Sequence, residues 1–276
     1  MLTTKQLVAD RFSKAQATYD ANALAQKEIA ARLSDLIEEV LKHEGTKARK
    51  REGNAKGVAS CFRAIAPSRF LEIGCGTGLL TRILLSRFAF ETVHLNDISD
   101  VFAPLFSGLN ERYNYHFYAG DAEEMVLDRK YDLIVSSSVF QWFDHVPSFL
   151  EKIKQHLSPD GLFAFSTFGP ENMREIKALT GSGLAYFSQQ EWIELLSPHF
   201  QLLQTEESII EILLDSPKEV LNHIKQTGVN VFKHQITIWT PAKMKQFEKA
   251  YQDGFSVGEQ VKLTYHPLYF IAKLKK

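Results

Sequence analysis

Apolar positions Ile29, Leu33, Leu36, Ile37, Val40 and Leu41 follow three-and-four spacing, which predicts helix from residue 1 to about residue 41. From Phe70 the pattern changes to short apolar runs that alternate with amphipathic segments. Strands are predicted at Phe70–Ile73, Thr92–Asp97, Tyr115–Ala119, Leu133–Ser136 and Leu162–Thr167. Helices are predicted at Leu79–Phe88 and Phe149–Leu157, the second stopped by a turn at Ser158-Pro159-Asp160-Gly161. Such alternation implies an α/β, doubly wound, mostly parallel sheet with helices on both faces. Right-handed crossovers then gather the strand carboxyl ends at one edge, where ligands bind.

The last hundred residues are mixed. Ser188 and Glu191 have the spacing of a capping box, which predicts helix to Leu196. Leu202–Ser208 reads as a strand. Pro217–Thr227 and Pro241–Phe255 read as helices with proline in the first turn. Val261–Leu274 reads as a long closing strand or hairpin, and Pro267 places it at a sheet edge. These patterns give one domain: a helical N-terminal cover over 1–60, a core over 61–215, a helical lid insertion over 216–258 and a closing strand over 259–276.

Composition narrows the function classes. The net charge of -1 provides no global field for nucleic acid or membrane, so an acidic partner must meet a local patch. Residues 42–56 are that patch: six Lys/Arg and no large apolar side chain, expected as a basic loop that is either simply solvated or steers a partner. Two cysteines, Cys61 and Cys75, are too few for a disulfide framework and suggest a reducing cytoplasm. There is no secretory pattern at the N-terminus and no run of about 20 apolar residues. No Cys-x-x-Cys, His-Glu-x-x-His, Gly-x-Ser-x-Gly or phosphate loop occurs, so no metal is expected.

The strongest chemical signal is Glu72-Ile73-Gly74-Cys75-Gly76-Thr77-Gly78 after the first strand of the core. A dinucleotide fingerprint would need its third glycine at Leu79. The observed spacing is similar to the first motif of class I methyltransferases, in which a tight turn brings backbone N–H groups to the ligand's amino-acid portion. Asp97 ends the second strand, followed by Ile98, and suits a carboxylate that accepts from two ribose hydroxyls. Asp121, followed by Ala122, follows the third strand and suits an adenine amine, although Gly-Asp is equally a common turn. Ser137 and Gln141 lie in Ser136–Phe143, whose aromatic residues can exclude water and face a sulfonium.

Several narrower stretches resemble the malonyl-[acyl-carrier protein] O-methyltransferases of biotin synthesis (BioC). They are Arg11–Ala15 with Thr18-Tyr19-Asp20 and Gln26, then Phe140-Gln141-Trp142, His223–Asn230 and Leu263-Thr264-Tyr265-His266. The resemblance implies a seven-stranded Rossmann-like sheet, S-adenosylmethionine as cofactor, and methyl transfer to the free carboxylate of a malonyl thioester. It also implies a carrier protein or coenzyme A as partner. Candidate cofactor contacts are Glu72, Gly74, Cys75, Gly76, Gly78, Asp97, Ile98, Asp121, Ala122, Ser137 and Gln141. Candidates at the reacting end are Tyr19, Asp144, Arg174, Lys225, Tyr265 and His266. Tyr19 is either part of an active-site cover or a packed helix aromatic. Arg174 and Lys225 fit a solvated helix face as well as a carboxylate. Two departures stand out: the basic segment is longer than the family's connection, and Val231–Thr240 is poor in arginine. A methyltransferase for another carboxylic acid or a quinone would use the same cofactor residues. So would a binding module that senses the cofactor.

Overall fold

The structure, a computed structural model, describes residues 4–51, 67–228 and 240–276. Two N-terminal helices, α1 (Thr4–Asn22) and α2 (Leu24–Arg51), precede the first strand. The segment expected as a basic loop is helical as far as Arg51. Lys, Arg, Ala and Glu all favour helix, and Lys42 pairs with Glu38 one turn back at 2.5 Å. The side chains from Lys47 to Arg51, all of 52–66 with Cys61 and Lys56, and 229–239 lie outside what the structure describes.

The main sheet contains β1 (Arg69–Ile73), β2 (Thr92–Asp97), β3 (Asn114–Ala119), β4 (Tyr131–Ser137), β5 (Leu157–Phe168), β6 (Phe200–Glu207) and β10 (Pro267–Leu274). Its order is β3-β2-β1-β4-β5-β10-β6. The first five strands are parallel, and β10 runs antiparallel between β5 and β6. This is the doubly wound α/β arrangement expected.

Successive side chains of β1 are buried on alternate faces of the sheet. Phe70 packs with Val93, Leu95, Leu133 and the α2 residues Ile29, Leu33 and Leu36 on one face. Leu71 and Ile73 pack on the other face with Phe149, Leu150 and Ile153. Helix α3 (Leu79–Arg87) lies beside α2, while α4 (Val146–His156) serves the opposite face through Val146, Phe149, Leu150 and Ile153. The remaining helices are α5 (Arg174–Thr180), α6 (Gln189–Leu196), α7 (Pro217–Gln226) and α8 (Pro241–Phe255). Ser188 and Glu191 form the reciprocal capping box at the start of α6. A guanidinium fork from Arg32 to Glu206, at 2.6 and 2.8 Å, ties α2 to β6.

Two expectations need correction. Helix α4 ends at His156 as expected, but residues 158–161 do not separate it from the next strand: β5 begins at Leu157, opposite Tyr131, and resumes pairing at Leu162, opposite Leu133. The turn is thus absorbed as an irregularity within the strand. The chain after Val261 is not one strand at an edge. It divides at His266 into β9 (Gln260–Tyr265) and the interior strand β10. Pro267 is the first residue of β10, where a missing N–H is tolerated. Strand β9 joins β7 (Ile210–Leu214) and β8 (Ser256–Val257) in a small antiparallel sheet. Residues 210–265 therefore leave the main sheet and return to it, carrying α7 and α8 with them.

Candidate active site

A cleft opens above the carboxyl ends of β1–β4, where the strand order changes direction at β1 and β4. The turn after β1 forms its floor. Gly74 has φ +68°, and a Cβ there would stand 2.4 Å from Cγ2 of Val139. Gly76 has φ +50° and faces open space, with nothing within 4 Å of a built Cβ. The first glycine lets two pieces of chain touch, and the second leaves a cradle that a side chain would fill.

Carboxylates occupy the β2 and β3 side. Asp97 Oδ2 accepts from Gly76 N–H at 2.8 Å, and Oδ1 from Ser99 N–H at 3.0 Å. Burial nevertheless raises its pKa to about 6, the backbone donors pulling the other way. Glu72 is buried on β1 and accepts from the Thr81 hydroxyl at 2.6 Å. Burial lifts its pKa to about 8, and the neighbouring Asp97 adds to the rise. Burial likewise pushes the Cys75 thiol up, so it is an unreactive lining group. Asp121 accepts from Glu123 N–H at 2.9 Å, an Asx turn, and from Lys5 Nζ at 2.5 Å. Both anticipated environments of Asp121 are thus present at once: the turn and the cleft wall.

Helix α1 lies over this floor. Lys5 also bonds Glu123 and stands 3.8 Å from Asp144. Burial opposes its charge, but Asp121 and Glu123 outweigh that and raise its pKa. Asp20 accepts from the Thr77 hydroxyl at 2.5 Å and from Arg82 at 3.0 Å. Ser13 and Ser99 share a hydrogen bond of 2.7 Å. Phe12 meets Trp142 edge-on, with centroids 6.0 Å apart, and Tyr19 at 6.2 Å. Tyr19 lines the cleft, and burial, followed by Asp20 and Asp97, drives its phenol pKa far up. Its hydroxyl therefore keeps its proton. The β4 side closes with Ser137, Ser138, Val139, Trp142 and Phe143. Ser138 has φ +61°, a strained value for a non-glycine residue, and its hydroxyl is buried without a partner.

Glu72, Gly74, Cys75, Gly76, Asp97, Ile98, Asp121, Ala122, Ser137 and Tyr19 all line the cleft. Gly78 N–H closes the turn onto Cys75 O at 2.8 Å. Gln141 braces the β4 loop by donating to Ser138 O at 2.6 Å. Asp144 stands at the exposed rim beyond Lys5. The reacting-end candidates Arg174, Lys225, Tyr265 and His266 also lie off the lining. Arg174 is half-buried and paired with Glu171, Glu175 and Glu211 at 3.4–3.7 Å. Lys225 is exposed on α7. His266 packs on Gly169 and accepts from Glu171 N–H at 3.2 Å. Tyr265 is fully buried, its hydroxyl 2.9 Å from His223 Nε2. Lys5, Phe12 and Gln26 also reach the cleft. Helical periodicity marks neither Lys5 nor Phe12, because α1 has no strong apolar face, and Gln26 is a polar residue in the first turn of α2.

Among the described residues no group of three or more His, Cys, Asp or Glu could hold a metal ion. No described helix is long and apolar enough to cross a membrane.

The sequence model of a methyltransferase domain matches residues 26–209. The YcgJ protein of Bacillus subtilis has a similar fold, with a TM-score of 0.52 at 17% identity over 85% of this chain and 99% of that one. A malonyl-[acyl-carrier protein] O-methyltransferase of Bacteroides thetaiotaomicron is 38% identical over 99% of both chains. One of Porphyromonas gingivalis is 36% identical over 97% of this chain and 95% of that one. The chain belongs to this O-methyltransferase family. Its cofactor is S-adenosylmethionine, and the open cradle at Gly76 beside Asp97 fits such a ligand.

Proposed function

We propose that this enzyme methylates the free carboxylate of a malonyl thioester carried on an acyl-carrier protein. The product methyl ester would prime pimeloyl formation in biotin synthesis, in the cytoplasm. The observation that carries the reading is similarity along nearly the whole chain to enzymes of that name, including the segments that build the cleft's roof.

When bound, the cofactor supplies an electrophilic methyl on a sulfonium. The residues of the chain do the rest. Asp97 would hold the ribose hydroxyls, Asp121 the adenine amine, and the backbone of Gly74–Gly78 the amino-acid end. Phe12, Tyr19, Trp142 and Phe143 exclude water from the reacting end. A malonyl carboxylate has a pKa well below 7, so it is already a nucleophile and no side chain needs to remove a proton. Alignment of the two reactants is what remains, worth roughly 7–11 kcal/mol of the barrier. Methylation hides a charge, which lets an apolar chain-extending site accept the ester.

The test is mass analysis of malonyl-carrier protein after incubation with enzyme and cofactor. One added methyl on the acyl group, absent from acetyl-carrier protein, is expected. The reading fails if malonyl-carrier protein and malonyl-coenzyme A both stay unmodified while a quinone or an unrelated acid is methylated.

A further inference from the structure

Gln26 is 5% exposed, lines the cleft, and has a side-chain oxygen buried without a partner. Buried polar atoms are nearly always satisfied, and an exception in a ligand cavity marks a place where a ligand completes the bonding. The residue is held from behind. Its amide is hydrogen-bonded to the Tyr265 hydroxyl, which in turn lies 2.9 Å from His223 Nε2. Burial lowers the His223 pKa, so the ring is neutral and adds no charge.

The side of the cleft matters. The carboxylates suited to the nucleoside, Asp97 and Asp121, follow β2 and β3. Tyr265 ends β9 and packs against Phe168 at the end of β5, with centroids 5.9 Å apart. In the strand order these lie on opposite sides of β1, so Gln26 is anchored on the side away from the nucleoside. The charge of the lining matters too. Among the described residues Lys5 is its one cation, and Asp121 and Glu123 already engage it.

We propose that Gln26 is the residue that orients the acceptor carboxylate, using its amide N–H against the oxygen that is not methylated. This inference rests on the proposed carboxylate methylation. A half-turn of the carboxamide exchanges its oxygen and its NH2. The oxygen then accepts from the Tyr265 O–H, Tyr265 accepts from His223, and the NH2 faces the cleft. Such a donor has a chemical advantage over arginine. It fixes the direction of a carboxylate without drawing off the electron density that must attack the methyl carbon. Tyr265 and His223 are then positioning residues for Gln26.

The experiment measures KM and kcat for the malonyl thioester, and S-adenosylhomocysteine affinity by calorimetry, in Gln26→Met and Gln26→Glu. Met keeps the length and removes both polar atoms, so the fold is retained. Its acceptor KM should rise roughly 10- to 100-fold, the range of a hydrogen bond to a charged group, with homocysteine-nucleoside affinity within about twofold of wild type. Gln26→Glu should be worse than Met, because a second carboxylate repels the first. Tyr265→Phe should show a smaller KM rise of the same kind. An unchanged acceptor KM in Gln26→Met overturns the assignment alone. A matching loss of S-adenosylhomocysteine affinity also overturns it, by moving Gln26 to the cofactor's amino-acid end. A wild-type enzyme that methylates no carboxylate overturns the proposed function and this inference together.

Discussion

Gly74 and Val139 are in contact across the floor of the cleft: a Cβ on the glycine would sit 2.4 Å from one valine methyl and 2.9 Å from the other. Gly76, two residues on, faces open space. The two glycines should therefore fail in different ways. Gly76→Val is expected to fold, with a modest loss of Tm from its positive φ, and to lose cofactor binding. Gly74→Ala is expected to lose stability first, and Val139→Ala in the same chain should restore part of it. Thermal melts and calorimetry on the three variants check this. Equal binding losses with unchanged Tm would contradict it.

Asp97 gives a pH dependence. Its folded pKa of about 6 is above its ordinary 3.8, so the ligand-free protein binds this proton more tightly than the unfolded chain does. That contribution to stability is present at low pH and is lost as the pH rises from about 4 to about 6. Cofactor binding has the opposite sign, since two ribose hydroxyls need an ionised acceptor. Affinity for S-adenosylhomocysteine should be flat above about pH 6 and fall below it, with proton uptake by Asp97 opposing binding. Asp97→Asn should weaken binding, by roughly 1.5–3 kcal/mol at pH 7.5, and abolish the acid limb. Calorimetry in two buffers of different ionisation enthalpy measures the proton released.

Tyr19 lines the cleft with a hydroxyl that keeps its proton. Tyr19→Phe removes this donor and leaves the ring against Phe12. A fall in kcat/KM equivalent to roughly 1.5–3 kcal/mol, with Tm unchanged, is expected for a hydroxyl that meets a charged group of cofactor or substrate. A full-rate Phe variant would leave the residue with packing alone.

The parts of the fold governed by local rules were readable along the chain. Strand–helix alternation placed β1 to β5, and the glycine turn and Asp97 lie where their motif put them. The Ser188–Glu191 capping box is a local feature and formed as spaced. What was hidden depends on distant chain. Strand β7 is short and half-exposed, and only its pairing with β9 makes it a strand. The break at His266 follows from two sheets competing for one apolar run. Residues 42–51 carry a charge pattern that suits a solvated helix as well as a loop. Gln26 stood out only as part of the family-like opening segment, and nothing local gave it a role. Its meaning comes from Tyr265, which reaches it only in the folded protein.

The excursion of residues 210–265 out of the main sheet divides the cleft by origin. The wall that carries Asp97 and Asp121 is built from the first strands and their turns, while Tyr265 and His223, behind Gln26, come from the excursion. Each wall is anchored to its own sheet. Mutational drift in the excursion can therefore reshape which acid is accepted while the methyl-donor half stays untouched, so a new specificity is reachable by exchanging one contiguous cassette.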